Sequence, residues 1–250
     1  MTKIDVVTTA IRRPEILDLA YRSYFNGGIL DLPKLRIILN IDPIGAGSEE
    51  EMVSIAKSYS DEVVVNSPEK SNFANAINWC WSQVESKHFL HLEDDWLLTN
   101  PIKFHDWLKS LEQSNALQSV LIRKHRRQIP SKYSFRANLA RKSVIDQVGL
   151  IPPKYNPEKW CIQRLGMNVS IDFGPERQLI DMGRKWAKGN QSRKSTGSSG
   201  LRITSESLAS GWFGERPSGI VGRLDYKMNY NKWQRVLRAY ENDFKDVESI

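Results

Sequence analysis

The run "HFLHLEDDW", residues 88–96, ends an apolar, strand-like segment in three adjacent acids, Glu93, Asp94 and Asp95. Neighbouring carboxylates repel, and crowding them is costly unless water, a cation or basic side chains neutralise them. Their grouping predicts a positively charged occupant. Carboxylate oxygens suit Mg²⁺ or Mn²⁺, and a cation held by one or two of them can bridge and neutralise phosphate oxygens. Other groups able to do chemistry are spread along the chain. Thr8, Thr9, Arg12 and Arg13 close the first β-branched run, Asp42 closes the second, Asn72 and Asn75 open a helical stretch, and Glu158 follows "NP". Several have a plain structural use as well: Asp42 in an Asp-Pro turn, Ser71 or Asn72 as a helix N-cap, Glu158 as a first-turn acid.

The elements that must position these residues follow from periodicity. "KIDVVTTAI" and "KLRIILNID" are β-branched with little alternation, which predicts strands buried on both faces. "RPEILDLAYRSYFNGG" has helical apolar spacing, and "SEEEMVSIAKSYS" is a helix opened by Ser with acids in its first turn. "DEVVVNS" is a third strand, "SNFANAINWCWSQVES" a helix and "HFLHL" a fourth strand. Strand and helix alternating four times predict an α/β fold, with a mostly parallel sheet flanked by helices. The acids fall at the carboxyl end of a strand, where ligands bind in such sheets. Further along, "PIKFHDWLKSLEQS", "RKSVIDQVG" and "PEKWCIQRLG" are predicted helices, the last with Pro157 in its first turn; "LQSVLIRK" and "MNVSIDFG" are predicted strands.

Composition narrows the chemistry. At 250 residues and 40% hydrophobic, the chain is long enough for one sizeable α/β domain or two small ones. Residues 1–188 are predicted to form the main domain, 189–222 a flexible Gly/Ser-rich loop able to serve as a lid, and 223–250 a helix docked on the same domain. Cys80 and Cys161 lack CxxC spacing and are expected to pack as small hydrophobes, and the four histidines form no HExxH pair, which argues against a zinc hydrolase. No run reaches the roughly 20 apolar residues of a membrane span, and the first residues lack a signal-peptide pattern, so a cytoplasmic location is expected. A formal charge of +7 fits an anionic partner such as a nucleotide diphosphate, a nucleic acid or a charged glycan, without choosing among them.

In order and spacing, "VVTTAIRRPEIL", "NIDPIGAG", "SNFANAINWCW", "HLEDDW", "SFRANLARKSVIDQVG" and "NPEKWCIQRLG" resemble the GT-A glycosyltransferases, in the style of the inverting, family 2-like sugar transferases. The resemblance covers roughly residues 3 to 187. It implies a Rossmann-like GT-A domain with a C-terminal acceptor-side extension, and transfer of a sugar, hexosyltransferase-like, from a nucleotide-diphosphate donor, with UDP-sugar favoured, to a glycan or other hydroxyl acceptor. Mn²⁺ or Mg²⁺ is the implied cofactor. By resemblance the donor contacts are Thr8, Thr9, Arg12, Arg13, Asp42, Asn72, Asn75, Asp94 and Arg184. The metal contacts are Glu93, Asp95 and Asp181, with Glu93-x-Asp95 in DxD-type spacing, although Glu stands where the family has Asp. Asp181 stands where relatives carry a histidine or other late ligand. Glu158 is the implied general base in the family's acidic helix-start motif, whose second acid is absent here; Asp172 and Glu176 stand in reserve.

Two other classes stay open. A nuclease or phosphoesterase could use the acids with Asp42, Asp172 and Asp181 around two metals. A basic nucleic-acid-binding module could use the eight Trp and runs such as "RKHRRQ". Most of the Trp lie in apolar-patterned helices, which favours core positions.

Overall fold

Val6 and Val7 point to opposite sides of strand β1 (Ile4–Ile11), yet both are fully buried. The same holds for Ile37 and Ile38 of β2 (Leu35–Asp42) and for Phe89 and Leu90 of β4 (His88–Glu93). Strands covered on both faces have no polar side to present, which is why these segments read as unbroken apolar runs.

A computed structural model describes residues 3–25, 34–98, 104–114, 118–122, 130–167, 169–173 and 179–181. The lid expected over 189–222, the helix expected over 223–250, Glu176 and Arg184 lie outside the described residues. The remaining elements, in order, are α1 (Pro14–Tyr24), α2 (Glu49–Lys57), β3 (Val63–Asn66), α3 (Phe73–Ser82), β5 (Trp96–Leu98), α4 (Phe104–Gln113), β6 (Ser119–Ile122), β7 (Pro130–Ser131), β8 (Asn138–Arg141), α5 (Ser143–Val148), α6 (Pro157–Leu165), β9 (Ser170–Phe173) and β10 (Leu179–Asp181). The main sheet runs β3-β2-β1-β4-β8-β6-β9-β7, and β5 pairs with β10 in a separate ribbon. Strands β3, β2, β1, β4, β6 and β9 share one direction, whereas β8 and β7 run against it. The sheet is therefore mostly parallel, as expected, with β8 as an antiparallel insert that the sequence patterning does not announce.

Two hydrophobic layers sandwich this sheet. Leu17, Tyr21, Tyr24, Met52, Leu92, Trp107 and Leu111 fill one, drawing α1, α2 and α4 onto it. Ile77, Trp81, Phe89, Tyr133, Phe135, Val144 and Cys161 fill the other, beneath α3, α5 and α6. Trp81, Trp96 and Trp107 are buried, so these indoles serve packing and not base stacking. Cys80 and Cys161 are free and buried, as expected. No helix among the described residues is long and apolar enough to cross a membrane.

Helix starts follow their caps. Ser48 and Glu51 form a capping box, Asn72 caps α3 through the Asn75 N–H, and Asn156 caps α6 ahead of Pro157. These caps place the starts of α2, α3 and α6 without distorting the strands.

The amino edge of the sheet is closed by one fully buried acid. Asp5 Oδ1 accepts from Arg36 Nε at 2.8 Å, and Oδ2 accepts from the Glu85 and Ser86 N–H groups at 2.7 and 2.8 Å and from Ser86 Oγ at 2.9 Å. Arg36 also donates to the Gln83 carbonyl at 2.7 Å, joining β1, β2 and the α3–β4 turn. Burial pushes the Asp5 carboxyl up, but Arg36 and the N–H donors more than offset it and hold the group below the usual range. A depressed folded-state value contributes stability above the unfolded value, near 3.8, that is lost as pH falls through the folded one. Asp5→Ala should cost about 3–5 kcal/mol in urea denaturation at neutral pH, as for other broken buried pairs. Asp5→Asn should lose less stability than the parent protein when the pH is taken from 5 down to about 3.

Candidate active site at the carboxyl edge of the sheet

The three acids are not left to repel one another. Arg13, next to Pro14 at the start of α1, folds back so that its Nε and Nη2 donate to Asp94 Oδ2 and Oδ1 at 2.8 and 2.6 Å. The Ile11 N–H donates to Asp94 Oδ2 at 3.2 Å, and Arg13 Nη2 lies 3.2 Å from Asp95 Oδ2. Arg13 is 5% exposed and Asp94 and Asp95 are each 3% exposed, so this is a desolvated charge cluster and not a surface ion pair. Burial alone would pull the Arg13 guanidinium down, but Asp94 and Asp95 outweigh it and hold it charged. Glu93 is half-buried, lies opposite Thr9 in the β1–β4 register, and accepts from Trp96 Nε1. The buried Tyr24 phenol faces the charges of Glu93 and Asp95, and burial with those charges pushes its ionisation well up.

The neighbouring strand ends complete the edge. Asp42 is buried and accepts from Asn40 Nδ2 at 2.9 Å, while Asn66 Nδ2 donates to Asn40 Oδ1 at 2.6 Å. The Asn72 backbone N–H also reaches the Asp42 carboxylate, and Asn72 Nδ2 donates to the Pro153 carbonyl at 3.2 Å. Asn78 fixes the same segment by exchanging hydrogen bonds with the Ile151 backbone at 2.8 and 3.0 Å. The chain that leads into α6 is thereby tied to the start of α3 beside Asp42. Glu158, exposed in the first turn of α6, accepts from Ser134 Oγ at 2.8 Å. Ser134 precedes β8, whose Asn138 pairs with His91 near the carboxyl end of β4. Asn138 Nδ2 donates to the Ser134 and Arg136 carbonyls at 2.9 and 2.8 Å, which shapes the turn that presents Ser134.

The loops after β1 and β2 grip each other. The Arg12 N–H donates to the Ile44 carbonyl at 2.6 Å, and the Gly47 N–H donates to the Arg12 carbonyl at 3.2 Å. Gly45 has φ +101°, and a Cβ there would collide with the Arg12 carbonyl; a Cβ at Gly47 would collide with the Pro14 ring. Arg12 itself is half-exposed, with a 3.8 Å ion pair to Glu49.

Of the expected donor contacts, Thr9, Arg12, Asp42, Asn72 and the exposed Asn75 stand along this edge. Thr8 is fully buried and its hydroxyl accepts from Tyr21 at 2.8 Å, so it supports the strand from within. Arg13 and Asp94 are each other's partners. Asp181 lies opposite Trp96 in the β5–β10 ribbon, one residue from Asp95. Asp172 lies opposite Leu121 on β9, with β8 and β6 between it and β4, which places its backbone roughly 14 Å to the side at about 4.8 Å per strand. Sequence reasoning did not single out Ser134, Asn138 or Tyr24; "SFRAN" was legible as a motif but not as the support of Glu158.

Among the described residues no group of three or more His, Cys, Asp or Glu side chains is arranged to hold a metal ion alone. The donor chemistry still fits a divalent cation, because Mg²⁺-type sites take one or two carboxylates and complete their shell with phosphate oxygens. Asp95 and Glu93 supply such oxygens at a strand end.

No protein-family model matches the sequence, and no curated protein matches it. Solved structures do match. S. aureus TarS 1–349 in complex with UDP superposes with a TM-score of 0.56 at 12% identity over 75% of this chain and 63% of that one. The mannosyltransferase PcManGT from Pyrobaculum calidifontis, in complex with GDP-Man and Mn²⁺, gives 0.54 at 9% identity over 74% and 60%. Glucosyl-3-phosphoglycerate synthase from Mycobacterium tuberculosis, with Mn²⁺, UDP and glucosyl-3-phosphoglycerate, gives 0.52 at 14% identity over 72% of both chains. This chain thus spans about three fifths of the first two structures.

Burial dominates the Asp42 carboxyl and pushes it up to about 6, with the Asp94 charge adding to the rise. A raised folded-state value means that stability is greatest below the unfolded value near 3.8 and is lost as pH rises through about 6. Asp42→Asn should therefore be more stable than the parent at pH 7.5, by on the order of 2–3 kcal/mol, and no more stable at pH 4. Urea denaturation at the two pH values reads both. The sheet order, the acids at its carboxyl edge and these structural matches together identify the fold of the chain as that of the GT-A glycosyltransferases.

Proposed function

We propose that the protein transfers a sugar from a nucleotide-diphosphate donor, a UDP-sugar in the first instance, to a hydroxyl acceptor with inversion at the anomeric carbon. The observation that carries this reading is the gathering of Asp42, the Glu93–Asp95 cluster and Glu158 along one sheet edge of a GT-A fold. Asp42 accepts the imino N–H of a uracil ring, with Asn72 and Asn75 beside the ribose. Arg12 faces the diphosphate; Arg184, which the resemblance also gives to the donor, lies outside the described residues.

In the transfer step the acceptor oxygen attacks the anomeric carbon from the face opposite the nucleotide. Glu158 takes the hydroxyl proton, and the bond from the anomeric carbon to the diphosphate oxygen breaks, its electron pair leaving with the nucleotide. Ser134 orients the Glu158 carboxylate by donating to it. Asp95 and Glu93 would hold a divalent Mg²⁺ or Mn²⁺, with Asp181 the third ligand that the resemblance implies, and the bound ion would supply charge stabilisation to the leaving diphosphate. Asp172 and Glu176 are the reserve bases, and the lateral offset of β9 favours Glu158 over Asp172. The hydrolase reading loses ground because Asp94 is already consumed by Arg13, which leaves few acids for two metals.

Thermal denaturation against a panel of nucleotides and nucleotide sugars, with and without Mn²⁺, tests the reading. A donor at about 100 times its dissociation constant should stabilise the protein by about 2.7 kcal/mol. A flat response to every nucleotide would sink the proposal. Glu158→Gln should lower turnover by roughly 10²- to 10⁴-fold with donor affinity little changed. An active Glu158→Gln alongside an inactive Asp172→Asn would move the base to Asp172.

A further inference from the structure

The acid cluster carries its own cation, and that limits what else can bind there. Three carboxylates against one guanidinium leave a formal charge of −2, which still attracts a divalent ion. The carboxylates are not equally available, however. Both oxygens of Asp94 are taken, by Arg13 Nε, Arg13 Nη2 and the Ile11 N–H. Asp95 Oδ2 shares Nη2 at 3.2 Å, and Glu93 is tied to Trp96. A metal ion arriving alone would compete for Asp95 with a buried guanidinium, and disturbing such a pair is costly. Among the described residues it would find no ready-made group of three ligands in return. A diphosphate changes the balance by bringing its own oxygens to the ion.

We propose that Arg13 is the resident cation of this site and a positioning residue for the metal: it withholds Asp94 from coordination and shares Asp95, so that a divalent cation enters together with a diphosphate and not before it. This rests on the metal component of the reading above and is independent of which group is transferred. It also reassigns Arg13 and Asp94, which the resemblance gives to the donor, to each other.

Equilibrium dialysis with metal analysis reads protein-bound Mn²⁺ without turnover. The unaltered protein should take up Mn²⁺ weakly alone and about tenfold or more tightly with pyrophosphate or UDP, a difference of about 1.4 kcal/mol or more. The paired variant Arg13→Met with Asp94→Asn keeps the formal charge of the cluster at −2 while removing the guanidinium's hold on Asp95. It should take up Mn²⁺ alone about tenfold more tightly than the parent. Should the pair not fold, Arg13→Lys carries the same expectation in direction, since an ammonium cannot span both carboxylates as the guanidinium fork does. Equal or weaker uptake by the variant, or no uptake by either protein, overturns the role of Arg13. Tight uptake by the parent without any diphosphate overturns the coupling. Coupling to pyrophosphate but to no nucleotide or nucleotide sugar would leave Arg13 in place and sink the sugar-transfer reading instead.

Discussion

A guanidinium buried against two carboxylates is the constraint around which the carboxyl edge is built. Arg13 reaches Asp94 from 81 residues away, and neither partner has water to fall back on. Removing one side leaves an unpaired charge in a desolvated place, so the β1–α1 loop and the end of β4 must hold a fixed relation. That relation orients the rest of the edge. With Arg13 turned inward, Arg12 stays half-exposed beside Glu49, and Pro14 can start α1 without a missing hydrogen bond.

The two edges of the sheet are treated oppositely. At the amino edge Asp5 accepts four hydrogen bonds and is closed off. At the carboxyl edge Asp42 is buried with its carboxyl pushed up to about 6, a state that costs stability at neutral pH. The protein keeps an ionisable group there at a loss to its stability. Parallel strands make this division natural, since their amino ends take helix-to-strand turns while their carboxyl ends gather loops.

How much of this was legible in the sequence depended on whether the cause was local. Strands β1, β2 and β4 were readable because burial on both faces forces β-branched and aromatic residues into continuous runs. The α3 and α6 starts were readable because Asn72, Asn156 and Pro157 act within one turn. "NLAR" was not readable as β8, since Asn, Ala and Arg have little strand preference and the pairing between β4 and β6 imposes it. The acids announced a positively charged partner, but spacing could not say that Arg13 pairs with Asp94 and Asp95. Thr8 shows a related limit: spacing does not reveal that its hydroxyl accepts from the buried Tyr21. Register through space, not residue type, decides such cases.

The interlocked loops after β1 and β2 have a consequence for altering the protein. Because Gly45 and Gly47 press directly on the Arg12 carbonyl and the Pro14 ring, the stretch that carries Asp42 has no slack against the stretch that carries Arg12. An insertion in one would have to be answered by a matched change in the other. Laboratory evolution toward a different ligand should find few solutions one loop at a time, and exchange between homologues should succeed when both loops travel as a single cassette.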